Sequence, residues 1–400
     1  MRTSTVRTAV ALGALLAAVG VSTPAAASPA VEQTSCSWAL VDTPPSPSGS
    51  VPLSDVDVVG RHDVRIDGRA EAPAEASWEL RWNGRELVDD QPMPITPLVT
   101  TLTPYDIAYS SGSDGWAVTG TGSGEAMERW SGGRWTLMPL AVTPDAATED
   151  YWIEDVAAVS PTNAWSVGAA YEAGTTILPR SHALGTLIEH WDGTAWQVTP
   201  NPAADQDGAK LLAIAASSAN DVWAVGYQQD ADGAITPFTE HYDGTSWTVV
   251  PAPSGHGTSE LRSVSIGPDG TVWAAGNQEL PSGNNAAAVL AERWDGSAWQ
   301  VDPLPDLGNA RIDALYVAAA NSVWALVEEQ SGANRYLHWD GTAWSVGTMP
   351  GPQEYGLTYA YAAIDGSGPD DVWAVGNVTD YSTLDTEPQV AHLHCGRGGR

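Results

Sequence analysis

The chain reads as an all-β protein, a seven-bladed β-propeller of four-stranded antiparallel blades, on three observations. The first is a recurring stretch, plainest in Asp221-Val222-Trp223-Ala224-Val225-Gly226 followed by His241-Tyr242-Asp243-Gly244-Thr245-Ser246-Trp247. The second is its period: Trp116, Trp165, Trp223, Trp273, Trp324 and Trp373 follow one another at steps of 49, 58, 50, 51 and 49 residues, and a constant period near that length marks a repeat architecture. The third is an aliphatic residue nine positions before each anchor, at Val56, Ile107, Val156, Ile214, Val264, Leu315 and Ile364. That register reveals a seventh, degenerate copy in which Arg65 stands where the others carry tryptophan.

Each copy resolves into four short strands. In the best-preserved one, 211–216 is small and aliphatic, 217–221 is a turn cluster, and 222–227 is β-branched and aromatic. After a variable loop come 238–242, an Asp-Gly pair suited to the left-handed positions of a tight hairpin turn, and 246–250, closed by prolines that cannot donate to a ladder. Four strands in each of seven units describe a propeller.

Taken from the start, residues 1–27 read as a secretory signal peptide. Arg2 and Arg7 precede an apolar run over 9–21 that ends in Ala25-Ala26-Ala27, and this run is too short to span a bilayer. Residues 28–35 read as a linker, 36–396 as the propeller and 397–400 as a tail. The mature protein is therefore expected outside the cell, in an oxidising space, with no membrane insertion.

The two cysteines carry the ring closure. Cys36-Ser37-Trp38-Ala39-Leu40 aligns with Thr194-Ala195-Trp196-Gln197-Val198, a fourth strand with no preceding three, and 390–396 aligns with 290–296, a third strand with no following fourth. The N-terminal strand thus completes the last blade. Cys36 and Cys395 fall on either side of that blade's missing hairpin turn, and a disulfide between them is predicted.

Of the 19 tryptophans, six are the anchors, five fall on the third strand (Trp82, Trp130, Trp191, Trp294, Trp339) and six on the fourth (Trp38, Trp135, Trp196, Trp247, Trp299, Trp344). Blade faces need large flat apolar groups, so these are read as packing residues, as is Trp78. Trp152 alone is out of register. Without Arg2 and Arg7 the chain carries 15 basic against 49 acidic residues. Nucleic acid is excluded as a partner, because phosphate binding needs clustered Lys and Arg, and strong acidity favours a soluble monomer. No cofactor is expected; the one stretch with calcium-ligand chemistry, Asp230-Ala231-Asp232-Gly233, falls short of full calcium-loop spacing.

Function is expected on the face that carries the second-to-third-strand loops and the blade-to-blade links, since long loops on a rigid scaffold carry binding. First strands begin on that face, so the residues eleven and thirteen positions before each anchor should ring the channel mouth. They include Tyr105, Trp152, Glu154, Lys210, Glu260, Arg262, Arg311 and Asp313. Lys210 is the only lysine in the chain. Cations, acids and aromatics so placed suit a polar ligand such as a glycan; the competing reading is a rim of ion pairs that fastens blade to blade. Catalytic motifs are absent: there is no Gly-x-Ser-x-Gly elbow, phosphate loop or His-Glu-x-x-His. His392 and His394 share a strand face, yet a metal site needs three or four ligands.

The repeat Asp-Val-Trp-Ala-Val-Gly with His-Trp-Asp-Gly-Thr-Ala-Trp resembles the Trp-rich propeller repeats of secreted actinobacterial proteins, over residues 36–396. It is loosely similar to the kelch and galactose-oxidase group, although the kelch diglycines are missing and a copper-radical oxidase would need a free cysteine. The resemblance implies the fold and leaves activity open. The leading expectation is a non-catalytic binding module for an extracellular ligand. A glycan-cleaving enzyme using Glu154 with Asp313 or Glu260 and a protein-interaction platform using loop aromatics such as Tyr171, Tyr355 and Tyr381 stand beside it.

Overall fold

In the computed structural model, the residues described are 34–45, 50–70, 76–90, 103–121, 124–141, 149–172, 182–279, 287–330, 332–352, 357–383 and 385–397. The proposed leader and residues 398–400 lie outside them. Seven four-stranded antiparallel sheets follow one another along the chain, and no helix occurs among the described residues. Blade 4 shows the plan: Ala209–Ser218, Asp221–Gln229, Ile235–Tyr242 and Trp247–Val249, paired in that order from the channel outwards. Blade 7 is built from Leu357–Gly368, Asp371–Asp380 and Thr386–Arg397, and its outermost strand is Thr34–Val41 from the other end of the chain. The Cys36–Cys395 disulfide joins those two strands, as the repeat alignment predicts.

Each anchor tryptophan wedges against aromatic residues of the next blade. Trp116 lies 4.8 Å, centroid to centroid, from both Trp191 and Trp196; Trp223 lies 4.9 Å from Trp294 and 5.1 Å from Trp299. The pattern runs through the closure, since Trp324 meets Trp38 of the N-terminal strand at 5.7 Å and Trp373 meets Trp82 of blade 1 at 5.1 Å. On its own blade, each anchor is covered by the third-strand residue across from it. His190, His241, His338 and His392 lie 3.9–4.3 Å from their tryptophans, and Arg129 and Arg293 take the same place. This accounts for the recurring histidines as scaffold; His392 also bonds to Asp371 at 2.8 Å. In the degenerate blade, Arg65 does the work of the missing tryptophan. It is 4% exposed, sits 5.1 Å from the Tyr109 ring and 5.6 Å from the Trp130 ring, and bonds to Asp63 and Asp90 at 2.9 and 2.6 Å. A guanidinium keeps its charge when buried only if paired and stacked in this way.

The third-to-fourth-strand turns differ from the sequence expectation. In blades 1 and 3 to 6 they are four-residue loops, not two-residue hairpins in which Asp itself is left-handed; only blade 2 has the two-residue turn, at Gly132 and Gly133 with φ +63° and +78°. Asp243 Oδ1 accepts hydrogen bonds from the Thr245 hydroxyl and from the backbone N–H groups of Thr245 and Ser246, at 2.5, 2.8 and 3.0 Å, while Gly244 takes φ +90°. The same arrangement recurs at Asp192, Asp295 and Asp340. Three donors to one carboxylate oxygen, the Thr245 hydroxyl foremost, hold Asp243 down to about 2.

Two sets of acids escape the repeat consensus. On the channel side, Asp55, Asp57, Asp106, Asp155 and Asp365 each accept a backbone N–H from the first strand of the following blade, namely those of Ile107, Tyr109, Val156, Ile214 and Val58, at 2.5–2.8 Å. Ser263 and Ser265 do the same for Leu315 and Val317 at 3.1 Å. These bonds fasten the inner strands, which otherwise have no ladder between blades. The second set is Glu128, Glu189, Glu240 and Glu292, at one third-strand position in four consecutive blades and fully buried. Small residues opposite them, Ala117, Ser166, Ala224 and Ala274, leave them room.

Burial raises Glu128 and Glu240 to about 7 and Glu292 to about 8, and raises Asp55 and Asp57 to about 7. These groups hold their protons to higher pH in the fold than in the unfolded chain. Their contribution to stability is therefore complete below the ordinary carboxylate range and is lost as pH rises through about 7 to 8. His190 and His338, which burial lowers, are already mostly neutral there in both states. The thermal midpoint is expected to fall between about pH 6 and pH 9, and Glu292→Gln to flatten that slope; a midpoint that rises over this range contradicts the assignment.

The disulfide closes a loop of 359 residues. Chain-entropy arguments give such a loop an upper bound of roughly 5–6 kcal/mol of stabilisation. Cys395→Ser, or reduction of the native protein, is expected to lower the chemical denaturation midpoint markedly without changing far-ultraviolet circular dichroism at low denaturant. An unchanged midpoint would show that strand pairing and Trp38 alone hold the ring.

Candidate functional site at the channel mouth

All seven first strands carry a β-bulge, and it falls at the same place: Ser54, Tyr105, Glu154, Leu212, Arg262, Asp313 and Ala362 are the residues skipped in the pairing register. A bulge re-aims a side chain that regular pleating would send into a blade interface. These are the residues eleven before each anchor, so the bulge is the physical reason that this position belongs to the mouth. The glycine ending the Asp-Val-Trp-Ala-Val-Gly stretch lets the bulged strand come close. A Cβ on Gly226 would lie 2.1 Å from the Lys210 carbonyl oxygen, and one on Gly276 2.2 Å from that of Glu260.

The structure brings most of the sequence-selected residues into one arc. Lys210 pairs with Glu154 across blades 3 and 4, and lies 5.9 Å from the Tyr171 ring. Arg262 bonds to Glu260 at 3.0 Å and reaches across to Asp313 at 2.8 Å. Asp313 accepts a second guanidinium bond, from Arg311 at 2.8 Å, and Arg311 bonds to Glu328 at 2.5 Å. Tyr227 stands near both halves: burial raises its hydroxyl pKa, and the charges of Lys210, Glu154, Glu260 and Arg262 all act on it. Trp152 packs against Ala169, Tyr171 and Ala183 at one end of the arc. Tyr105 occupies its bulge in blade 2, and its side chain lies outside the described residues.

Glu328 and Tyr227 were missed by sequence reasoning because both lie on second strands, immediately past the six-residue repeat core, where only the extended ladder carries them towards the first-strand residues. Tyr171, expected as an exposed loop aromatic, is 2% exposed, because its strand runs on to Glu172 and turns it inwards beside Lys210. Tyr355 lies outside the described residues, and Tyr381 is 67% exposed. The Asp230 loop is a self-bonded turn, with Asp230 Oδ1 accepting from the backbone of Asp232 and Ala234 at 2.9 Å.

Between blades 5, 6 and 7 the arc borders an open cleft of about 350 Å³, lined by Arg262, Arg311, Asp313, Glu328, Tyr361 and Asn377. The Tyr361 hydroxyl donates to the Pro350 carbonyl at 2.8 Å. Asn377 bridges to blade 1 by accepting from the Leu53 N–H at 2.7 Å. Charged groups, an amide and one aromatic ring thus converge on one small hollow, more polar than most small-molecule sites and able to hold a polar ligand by directed bonds. Gly226→Ala, which forces the Lys210 strand outwards, is expected to destabilise the fold by about 1–3 kcal/mol in denaturant titration; an unchanged stability would show that the close approach is dispensable.

No family model matches the sequence, and no curated protein matches it either. Solved structures do resemble the fold. YCF48 bound to D1 peptide has a TM-score of 0.53 at 15% identity, covering 94% of this chain and 100% of that one. YCF48 from Cyanidioschyzon merolae has a TM-score of 0.51 at 15% identity over 89% and 98%. The β-propeller domain of the Trilobed protease from Pyrococcus furiosus, described as having an open velcro topology, has a TM-score of 0.50 at 9% identity over 88% and 100%. At these identities the likeness concerns the β-propeller fold alone.

Proposed function

We propose that this protein is a secreted, monomeric, non-catalytic binding module that holds a glycan at the channel mouth. The observation that carries the reading is the arc of alternating charges, Glu154, Lys210, Glu260, Arg262, Asp313, Arg311 and Glu328, self-neutralised apart from one acid and open along the cleft that Tyr361 lines. A hydroxyl-rich neutral ligand can donate to these carboxylates and accept from these guanidinium groups without unpairing any charge, whereas an ionic ligand would have to break a pair. Export is supported by the leader-like sequence of residues 1–27 and by the disulfide. No helix among the described residues is long and apolar enough to cross a membrane.

Turnover of a glycan would draw on the same acids. Glu154 and Glu260 are each held by a cation, which favours binding over a free acid and base pair. A peptide ligand is the second reading. It is favoured by the exposed loop aromatic Tyr381 and by the fold's likeness to a YCF48 structure that contains a bound D1 peptide.

A glycan array probed with the mature protein and with the Arg262→Ala, Arg311→Ala double variant tests the proposal, with the variant's thermal midpoint as the folding control. Binding by the wild type that the folded variant loses is the expected result. Absence of binding by both proteins overturns the glycan reading and transfers the weight to a peptide partner; binding retained by the variant moves the site away from the mouth.

A further inference from the structure

The Arg311–Glu328 pair is the most exposed link of the arc, with side chains 48% and 52% exposed. It forms a wall with a hollow on either side. One is the 350 Å³ cleft already described; the other, of about 260 Å³, is lined by Ala287, Asn309, Ala310 and Gln330. Arg311 and Glu328 line both. The chemistry of the second hollow is uncharged and amide-based. Asn309 Nδ2 donates to Gln330 Oε1 at 2.5 Å, and Asn309 Oδ1 accepts from the Ala287 N–H at 2.9 Å. Small-molecule sites usually span roughly 300–1,000 Å³, so each hollow alone stands near or below the lower bound, while the two together fall well inside it.

We propose that the two hollows are adjacent subsites for one chain of neutral sugar units that crosses the wall at Arg311 and Glu328. The ligand class is thereby narrowed to oligosaccharides of at least two units. Arg311 spends Nε on Asp313 and one Nη2 hydrogen on Glu328, which leaves its other guanidinium N–H groups and the remaining acceptor capacity of Glu328 to serve the units on its two sides. Gln330, exposed at the far end, bounds the second unit. This inference rests on the glycan reading above and adds to it a second subsite and a minimum length.

Isothermal titration calorimetry separates the two. The probes are glucose, mannose, galactose and N-acetylglucosamine with their di- to tetrasaccharide homo-oligomers. The proteins are the wild type and the variants Gln330→Ala and Gln330→Trp, the latter filling the second hollow without touching the first. Affinity is expected to rise roughly tenfold from one unit to two in the wild type, with that gain lost in Gln330→Trp and reduced in Gln330→Ala, while the monosaccharide binds all three proteins equally. Equal affinity for one and two units, or a gain that survives in Gln330→Trp, overturns the second subsite and leaves the first standing. No binding of any of these sugars overturns both.

Discussion

The contact on which this molecule depends is the wedge of one second-strand tryptophan into the aromatic residues of the next blade. Sheets packed face to face around a ring leave gaps that widen outwards, and indole groups at 4.8–5.7 Å fill them with flat, rigid, apolar bulk. The contact also explains the closure. Without Trp38, the blade 6 anchor Trp324 would lack the aromatic partner it meets on the N-terminal strand. Ring completion, the disulfide and the covering of the blade 6 anchor therefore all rest on the one N-terminal strand.

Where the wedge is lost, polar chemistry replaces it. Arg65 keeps a flat group between blades 1 and 2, and its charge brings Asp63 and Asp90 with it. Buried Asp67 and Glu79 lie on the same blade, both raised well above the usual carboxylate range by burial. The four buried glutamates of blades 2 to 5 are the counterpart of the acids in the strand-three turns. Turn carboxylates of the Asp243 type are held ionised by their donors, whereas Glu128, Glu240 and Glu292 keep their protons to near neutrality.

The bulge joins scaffold to site. One extra residue in each first strand separates the aliphatic side chain that enters the blade core from the preceding one that faces the mouth, and the close-approach glycines make room for the strand that carries it. A repeat that must place the same backbone irregularity seven times can vary the side chain at that point freely. The residues found there range from Ser54 and Ala362 to Arg262 and Asp313. The arc is accordingly confined to blades 3 to 6, with no seven-fold symmetry.

By itself the sequence determined blade number, strand order, the closing strand and the disulfide, because all of these follow from a period and from which residues must face apolar neighbours. It also singled out the first-strand positions that prove to be bulged, since spacing from an anchor is local information. Only the tertiary structure decided how the chosen side chains meet: that Lys210 takes Glu154, that Arg262 and Arg311 share Asp313, and that Glu328 completes the chain from another strand. Three of these pairings join residues on different strands, and the two that cross from blade to blade, Lys210 with Glu154 and Arg262 with Asp313, span more than fifty positions along the chain. Such pairings depend on blade-to-blade distance and on the direction each bulge imposes, neither of which a repeat consensus carries. The buried glutamates escaped for the complementary reason: a polar residue at a repeat position looks solvated until the neighbouring blade is in place to cover it.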